Sequence, residues 1–143
     1  MKRKIKNQRG VAAVEFALIL IPLVLLVFGT IEFSTLLYDK AVITNASREG
    51  ARAGIVFSTP GDVSDADIIT VINNYCSDHM ISLGGNSSID TTITRNVVGS
   101  VRSLTVRVSY VYRFLILPSF ISTLSDGLRL EAETIMRMEN QGS

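Results

Sequence analysis

Between Gly10 and Glu32 the chain reads GVAAVEFALILIPLVLLVFGTIE, and from Phe16 to Ile31 there is no charged residue. Counted back to Val11, with Glu15 tolerated, the run is about 21 residues, the number an α-helix needs to cross the hydrocarbon of a bilayer. So long an apolar run within 143 residues predicts a single transmembrane helix. What remains has room for one small core.

The overall charge of +1 conceals an asymmetry. Five of the 14 basic residues, Lys2, Arg3, Lys4, Lys6 and Arg9, precede Gly10, and none of the 13 acidic residues does. The chain beyond Gly10 therefore carries about −4. A basic cap before a membrane helix holds the N-terminus in the cytoplasm and places residues from about Tyr38 onward outside. The later basic residues are dispersed and outnumbered by acids, which argues against a nucleic-acid surface.

A secretory signal peptide has a shorter apolar core followed by a small-x-small cleavage site. Here the core runs directly into Gly29-Thr30-Ile31-Glu32-Phe33, which lacks such a site. An uncleaved anchor accounts for the basic cap and the length, but not for Glu15, because a carboxylate inside hydrocarbon is costly. A cut between Gly10 and Val11 does account for it. The helix stays on the mature chain, and the new α-ammonium of Val11 lies one helical turn from the Glu15 carboxylate, or meets the same carboxylate on a neighbouring subunit. Pairing in low dielectric offsets part of the cost of burying both charges. A glycine before the cut also lets an enzyme approach the backbone closely.

The order Arg9-Gly10, four small or apolar residues, Glu15-Phe16 and an unbroken apolar run resembles the class III signal of type IV pilins and pseudopilins. Residues 14–54 are similar to the TadE-like family of minor pilins or pseudopilins of the tight-adherence (Tad, Flp) pilus system. The shared features are Glu15-Phe16, Pro22, Ile31-Glu32-Phe33 and the block Ala46-Ser47-Arg48-Glu49-Gly50-Ala51-Arg52. The resemblance implies cleavage by a prepilin peptidase at Gly10-Val11. It also implies a single-pass location in a bacterial inner membrane, and partners among other pilins, pseudopilins and the pilus assembly platform. Phe16 stands where major pilins of this system often have tyrosine, which favours a minor subunit. The alternative is an uncleaved, signal-anchored protein whose outer domain binds a partner or ligand; it predicts a retained leader and tolerance of change at Gly10.

The expected architecture is α+β: a long pilin-like N-terminal transmembrane helix, a second helix and a small three-stranded antiparallel sheet. Residues 1–10 form the leader, residues 11–57 one long helix with its transmembrane part at about 14–37, and residues 58–143 a periplasmic α+β domain. Pro22 lacks an N–H and is expected to kink or loosen the helix. Val42, Ala46, Gly50, Ala53 and Gly54 recur at helical spacing and form the expected contact surface of the outer half, where small residues let another element approach. Arg48, Glu49 and Arg52 flank that surface and read as a solvated or structurally paired set of charges; the resemblance implies that they contribute to subunit or partner contacts. Ser58-Thr59-Pro60-Gly61 marks a turn. Asp62 to Met80 reads as the second helix, with Ser64 and Asp67 spaced as a cap, and Leu83 to Ser88 reads as a loop. Two-residue alternation then predicts strands from Ile89 to Arg95, Leu104 to Tyr112 and Leu128 to Arg137. The apolar bridge Phe114 to Ile121 reads as core packing or as a short helix resting on the sheet or the membrane surface.

Little in the chain suggests catalysis. His79 is the only histidine, Cys76 the only cysteine, and there is no tryptophan. The expectation is therefore no enzyme, no cofactor and no metal site. Cys76 reads as a buried, inert thiol or as one half of a bridge between chains.

Overall fold

The computed structural model describes residues 8–58, 61–82, 88–116 and 126–138. Residues 1–7 of the basic leader, 83–87 of the expected loop and 117–121 of the apolar bridge lie outside the described residues.

Helix α1, Gln8–Ile55, is continuous over 48 residues and contains Pro22, a length of about 70 Å at 1.5 Å per residue. Its two halves live in different surroundings. From Gly10 to Val24 every residue is exposed, whereas Glu32, Leu36, Asp39, Ile43, Ser47, Gly50 and Gly54 form a buried stripe at helical spacing. Polar residues at the transition do not interrupt the helix, because their hydroxyls donate back to carbonyls one turn earlier: Thr30 to Leu26, Ser34 to Thr30 and Thr35 to Ile31, at 2.7–3.0 Å.

After α1 the chain makes a small antiparallel hairpin of β1, Phe57–Ser58, and β2, Gly61–Asp62, with Phe57 opposite Asp62 and Ser58 opposite Gly61. This ladder takes in the first residue of the expected second helix, so α2 runs from Asp65 to His79. Ser64 caps it, accepting from the Asp67 N–H at 3.2 Å and donating to the Asp67 carboxylate at 2.7 Å. Asp65 and Asp67 suit the positive end of the helix, and His79 the negative end.

Three antiparallel strands follow, β3 (Ile89–Val98), β4 (Val101–Tyr112) and β5 (Leu128–Arg137), in the order β3-β4-β5. The alternation predicted from sequence is present: Leu104, Val106, Val108, Tyr110 and Tyr112 of β4, and Leu130 and Ala132 of β5, are buried. The β3–β4 hairpin extends beyond the predicted strands to a tight turn that pairs Val98 with Val101, with Gly99 at φ +62°. Val97 and Val98 at this tip are exposed. Backbone pairing rather than burial sustains the end of the ladder, so the alternation fades before the strands do.

The core lies where the outer half of α1 is held between α2 and the β4–β5 part of the sheet, around Ile43, Ala46, Ile68, Ile72, Leu104 and Tyr112. The sheet is tied to α1 by the Ser47 and Thr134 hydroxyls at 2.8 Å and by the Lys40 ammonium donating to the Glu131 carbonyl. Arg102 pairs with Asp62, and Arg95 with Asp65 and the Val63 carbonyl, so both cations fasten the hairpin to the connection between the helices. The α+β arrangement expected from the sequence is thus the arrangement observed.

Candidate functional site

The apolar half of α1 is the first element of the site. Among the described residues it is the one helix long and apolar enough to cross a membrane, and its most apolar window contains no buried residue. It is thus suited to serve as a single-pass anchor. Glu15 and Val11 are exposed on it, four residues and about one turn apart. Helix α1 passes through Gly10 and Val11 without a break. A Cβ built on Gly10 meets nothing within 4 Å, and its backbone is not left-handed.

Farther along α1 the small residues have packing reasons. A Cβ on Gly50 would lie 2.6 Å from Cγ1 and Cδ1 of Ile72, and one on Gly54 would lie 2.5 Å from Ile68 Cδ1 and Leu104 Cδ2. Ala46 is fully buried and Ala53 half-buried. Arg48, Glu49 and Arg52 are exposed, and none of them is in an ion pair among the described residues. The structure therefore puts the small residues against α2 and the sheet, and leaves the Arg-Glu-Arg charges facing outward.

Two buried carboxylates on the same helix were not singled out as site residues in the sequence. Glu32 is 2% exposed. Its Oε1 accepts the backbone N–H groups of Leu115 and Ile116 at 2.7 and 2.6 Å, and its own carbonyl accepts the Tyr112 hydroxyl at 3.2 Å. Asp39, two turns later, is fully buried; Oδ1 accepts the Ile81 N–H at 3.0 Å, and Oδ2 has no partner among the described residues. Their clue in the sequence is acid at stripe positions that otherwise hold apolar or small residues, 32 and 39 alongside 36 and 43. That pattern marks burial without naming the partner.

Burial raises the Asp39 carboxyl above its ordinary value of 3.8, and the Ile81 N–H partly opposes the shift. Burial, reinforced by the Asp39 charge, pushes the Cys76 thiol up to about 11. Burial also raises the Tyr112 phenol, with the charges of Glu32 and Asp39 adding to the effect. The folded chain thus keeps a proton on Asp39 at pH values where the unfolded chain has released it. Stability then falls as pH rises from the ordinary carboxylate value through the raised one, and the loss persists above it. Asp39→Asn removes the charge, so its thermal midpoint in detergent micelles should exceed the parent's by a few degrees at about pH 7, the gap closing toward about pH 4. A constant gap across that range would contradict the assignment.

Cys76 is fully buried, and a thiol held so far above neutral is a poor nucleophile. His79 is exposed, stacks on Tyr75 at 4.5 Å and shares a hydrogen bond between its Nδ1 and the Tyr75 carbonyl. A cleft of about 480 Å³ lies beside Cys76, Met80, Ile89 and Tyr110. Among the described residues no group of three or more His, Cys, Asp or Glu is placed to share a metal ion.

Residues 10–52 match a family described as TadE-like protein. No curated protein and no solved structure matches the chain. The matched span begins at Gly10, covers the apolar half of α1 and both buried carboxylates, and ends on Arg52, three residues before α1 does. The chain therefore carries a TadE-like family domain over residues 10–52, which implies a pilin-like protein related to pilus assembly.

Proposed function

We propose that the chain is a minor pilin or pseudopilin of a Tad-type pilus or a related secretion apparatus, made with a leader that a prepilin peptidase removes between Gly10 and Val11. The observation that carries this reading is the contrast among the glycines of α1. Gly50 and Gly54 sit where a side chain would collide with Ile68, Ile72 or Leu104, whereas Gly10 has open space around it. A glycine inside a helix costs about 1 kcal/mol relative to alanine. Recognition of an extended backbone by a protease supplies a reason for Gly10 that folding does not.

In this reading α1 rests in the bacterial inner membrane with its basic end in the cytoplasm, and the α+β domain faces the periplasm until the subunit is extracted. The Val11 ammonium created by cleavage pairs with Glu15, on the same chain or on its neighbour in the assembly, and lowers the cost of holding both charges in an apolar bundle. Arg48, Glu49 and Arg52, which face away from the core, are available to other pilins or to the assembly platform. The role is that of an assembled part rather than of a catalyst.

Mass spectrometry of the chain recovered from an assembling cell should find Val11 at the N-terminus. Recovery of an intact peptide of residues 1–14 from the assembled form would overturn the processing step. Gly10→Leu should insert normally and remain full-length. Glu15→Ala should be cleaved and inserted yet lose most of its incorporation into assemblies, and unimpaired piliation would contradict the charge pairing.

A further inference from the structure

The contact between Glu32 and residues 115–116 points to a second membrane contact, separate from the transmembrane helix. Ile116 shares an apolar cleft of about 270 Å³ with Leu20, Ile21, Val24, Leu25 and Phe28 of α1. Those residues precede Glu32 by 4 to 12 positions, which is about 6 to 18 Å along the helix toward the bilayer interior. Ile116, four residues after β4, thus lies beside the membrane helix. Leu115, beside Ile116, is 60% exposed.

Irregular backbone at membrane depth is unstable unless its polar groups are satisfied within the protein. Here the two N–H groups of Leu115 and Ile116 are satisfied, because the buried Glu32 carboxylate takes both. Phe114 is packed beneath, with ring centroids 6.1 Å from Phe33 and 5.1 Å from Tyr112.

We infer that Leu115 and Ile116 dip into the outer leaflet beside the transmembrane helix, with lipid acyl chains occupying the apolar cleft between Ile116 and α1. The choice of lipid as occupant follows from continuity. The cleft is one wall of the same exposed apolar surface of α1 that reads as membrane-spanning, and all six residues around it are apolar. The inference rests on the membrane insertion proposed above. Its consequence is that the outer domain is seated on the membrane at two points, which fixes its tilt and restricts its rotation about α1 before extraction.

The chain has no tryptophan, so single substitutions report their own surroundings. Full-length Leu115→Trp, Leu23→Trp and Ile135→Trp variants would be reconstituted in vesicles of phosphatidylethanolamine and phosphatidylglycerol, with or without acyl chains brominated near the carbonyl end. All three positions are exposed, so the new ring displaces nothing buried. Leu115→Trp should lose about half its fluorescence to the brominated lipid, Leu23→Trp should be protected from aqueous iodide, and Ile135→Trp, on the outer domain, should be quenched by iodide alone. Quenching of Leu115→Trp by iodide to the same degree as Ile135→Trp would overturn the inference while leaving the anchor intact. Shielding of Leu115→Trp from both quenchers would also overturn it, because a protein partner would then cover the cleft. Iodide quenching of Leu23→Trp would remove the membrane reading itself.

Discussion

Gly50→Val should destabilise the outer domain by about 3 kcal/mol, at the upper end of what overpacking a well-filled core costs. A Cβ at this position already lies 2.6 Å from two carbons of Ile72, and the branched methyls of valine extend farther. Cδ1 of Ile72 is a chain end and can rotate away, but Cγ1 moves only if the side chain leaves the χ1 rotamer that a helical isoleucine strongly prefers, or if α2 shifts. Ile72 is fully buried, and protein interiors hold few voids large enough to receive a displaced side chain. Thermal unfolding followed by circular dichroism in detergent micelles would measure the loss. Arg48→Ala, on the exposed side of the same helix, serves as the control and should remain within about 0.5 kcal/mol of the parent. Equal stability of Gly50→Val and the parent would mean that α1 and α2 are not in contact as described.

Glu32→Ala should cost about 3 kcal/mol, because it leaves two backbone N–H groups without their acceptor and removes charge-assisted bonds. Glu32→Gln keeps an oxygen at the same reach and should lose about 1 kcal/mol. Hydrogen exchange gives a local readout: the Leu115 and Ile116 amides should exchange faster in the alanine variant and remain protected in the glutamine one. In the Leu115→Trp background, Glu32→Ala should also weaken quenching by brominated lipid, since the carboxylate holds that segment against α1. If the alanine variant left both amides protected, Glu32 would not be their anchor.

The two variants act on opposite ends of one stripe of α1 and separate two kinds of position. Gly50 is read from its size, which is visible in the sequence as one of several small residues at helical spacing. Glu32 was legible as an acid at the end of an apolar run, at a stripe position and within Ile31-Glu32-Phe33, but not as an acceptor for particular amides. Its meaning comes from amides 83 and 84 residues later, a separation over which no periodicity carries information. Asp39 is similar, since its partner Ile81 lies 42 residues away on the chain leaving α2.

Local pattern explains what could be read in advance. The membrane-length run, the Ser64 cap, the alternation in β4 and β5 and the α+β order are properties of neighbouring residues, and each appears in the structure. The β1–β2 ladder and the tip of the β3–β4 hairpin went unread because backbone pairing stabilises them without burying a recognisable set of side chains.

By itself, the sequence determined that this chain has an apolar helix of membrane length, a basic start, a glycine at position 10 with Glu15 five residues on, and enough alternating strand for one small sheet. Hydropathy and charge act residue by residue, so those conclusions need no partner. Tertiary structure alone decided that Gly50 and Gly54 are where α2 and β4 press against α1, and that Glu32 and Asp39 are buried acceptors. Each of these is a contact between distant parts of the chain, and its energy exists only once the fold has brought the two sides together.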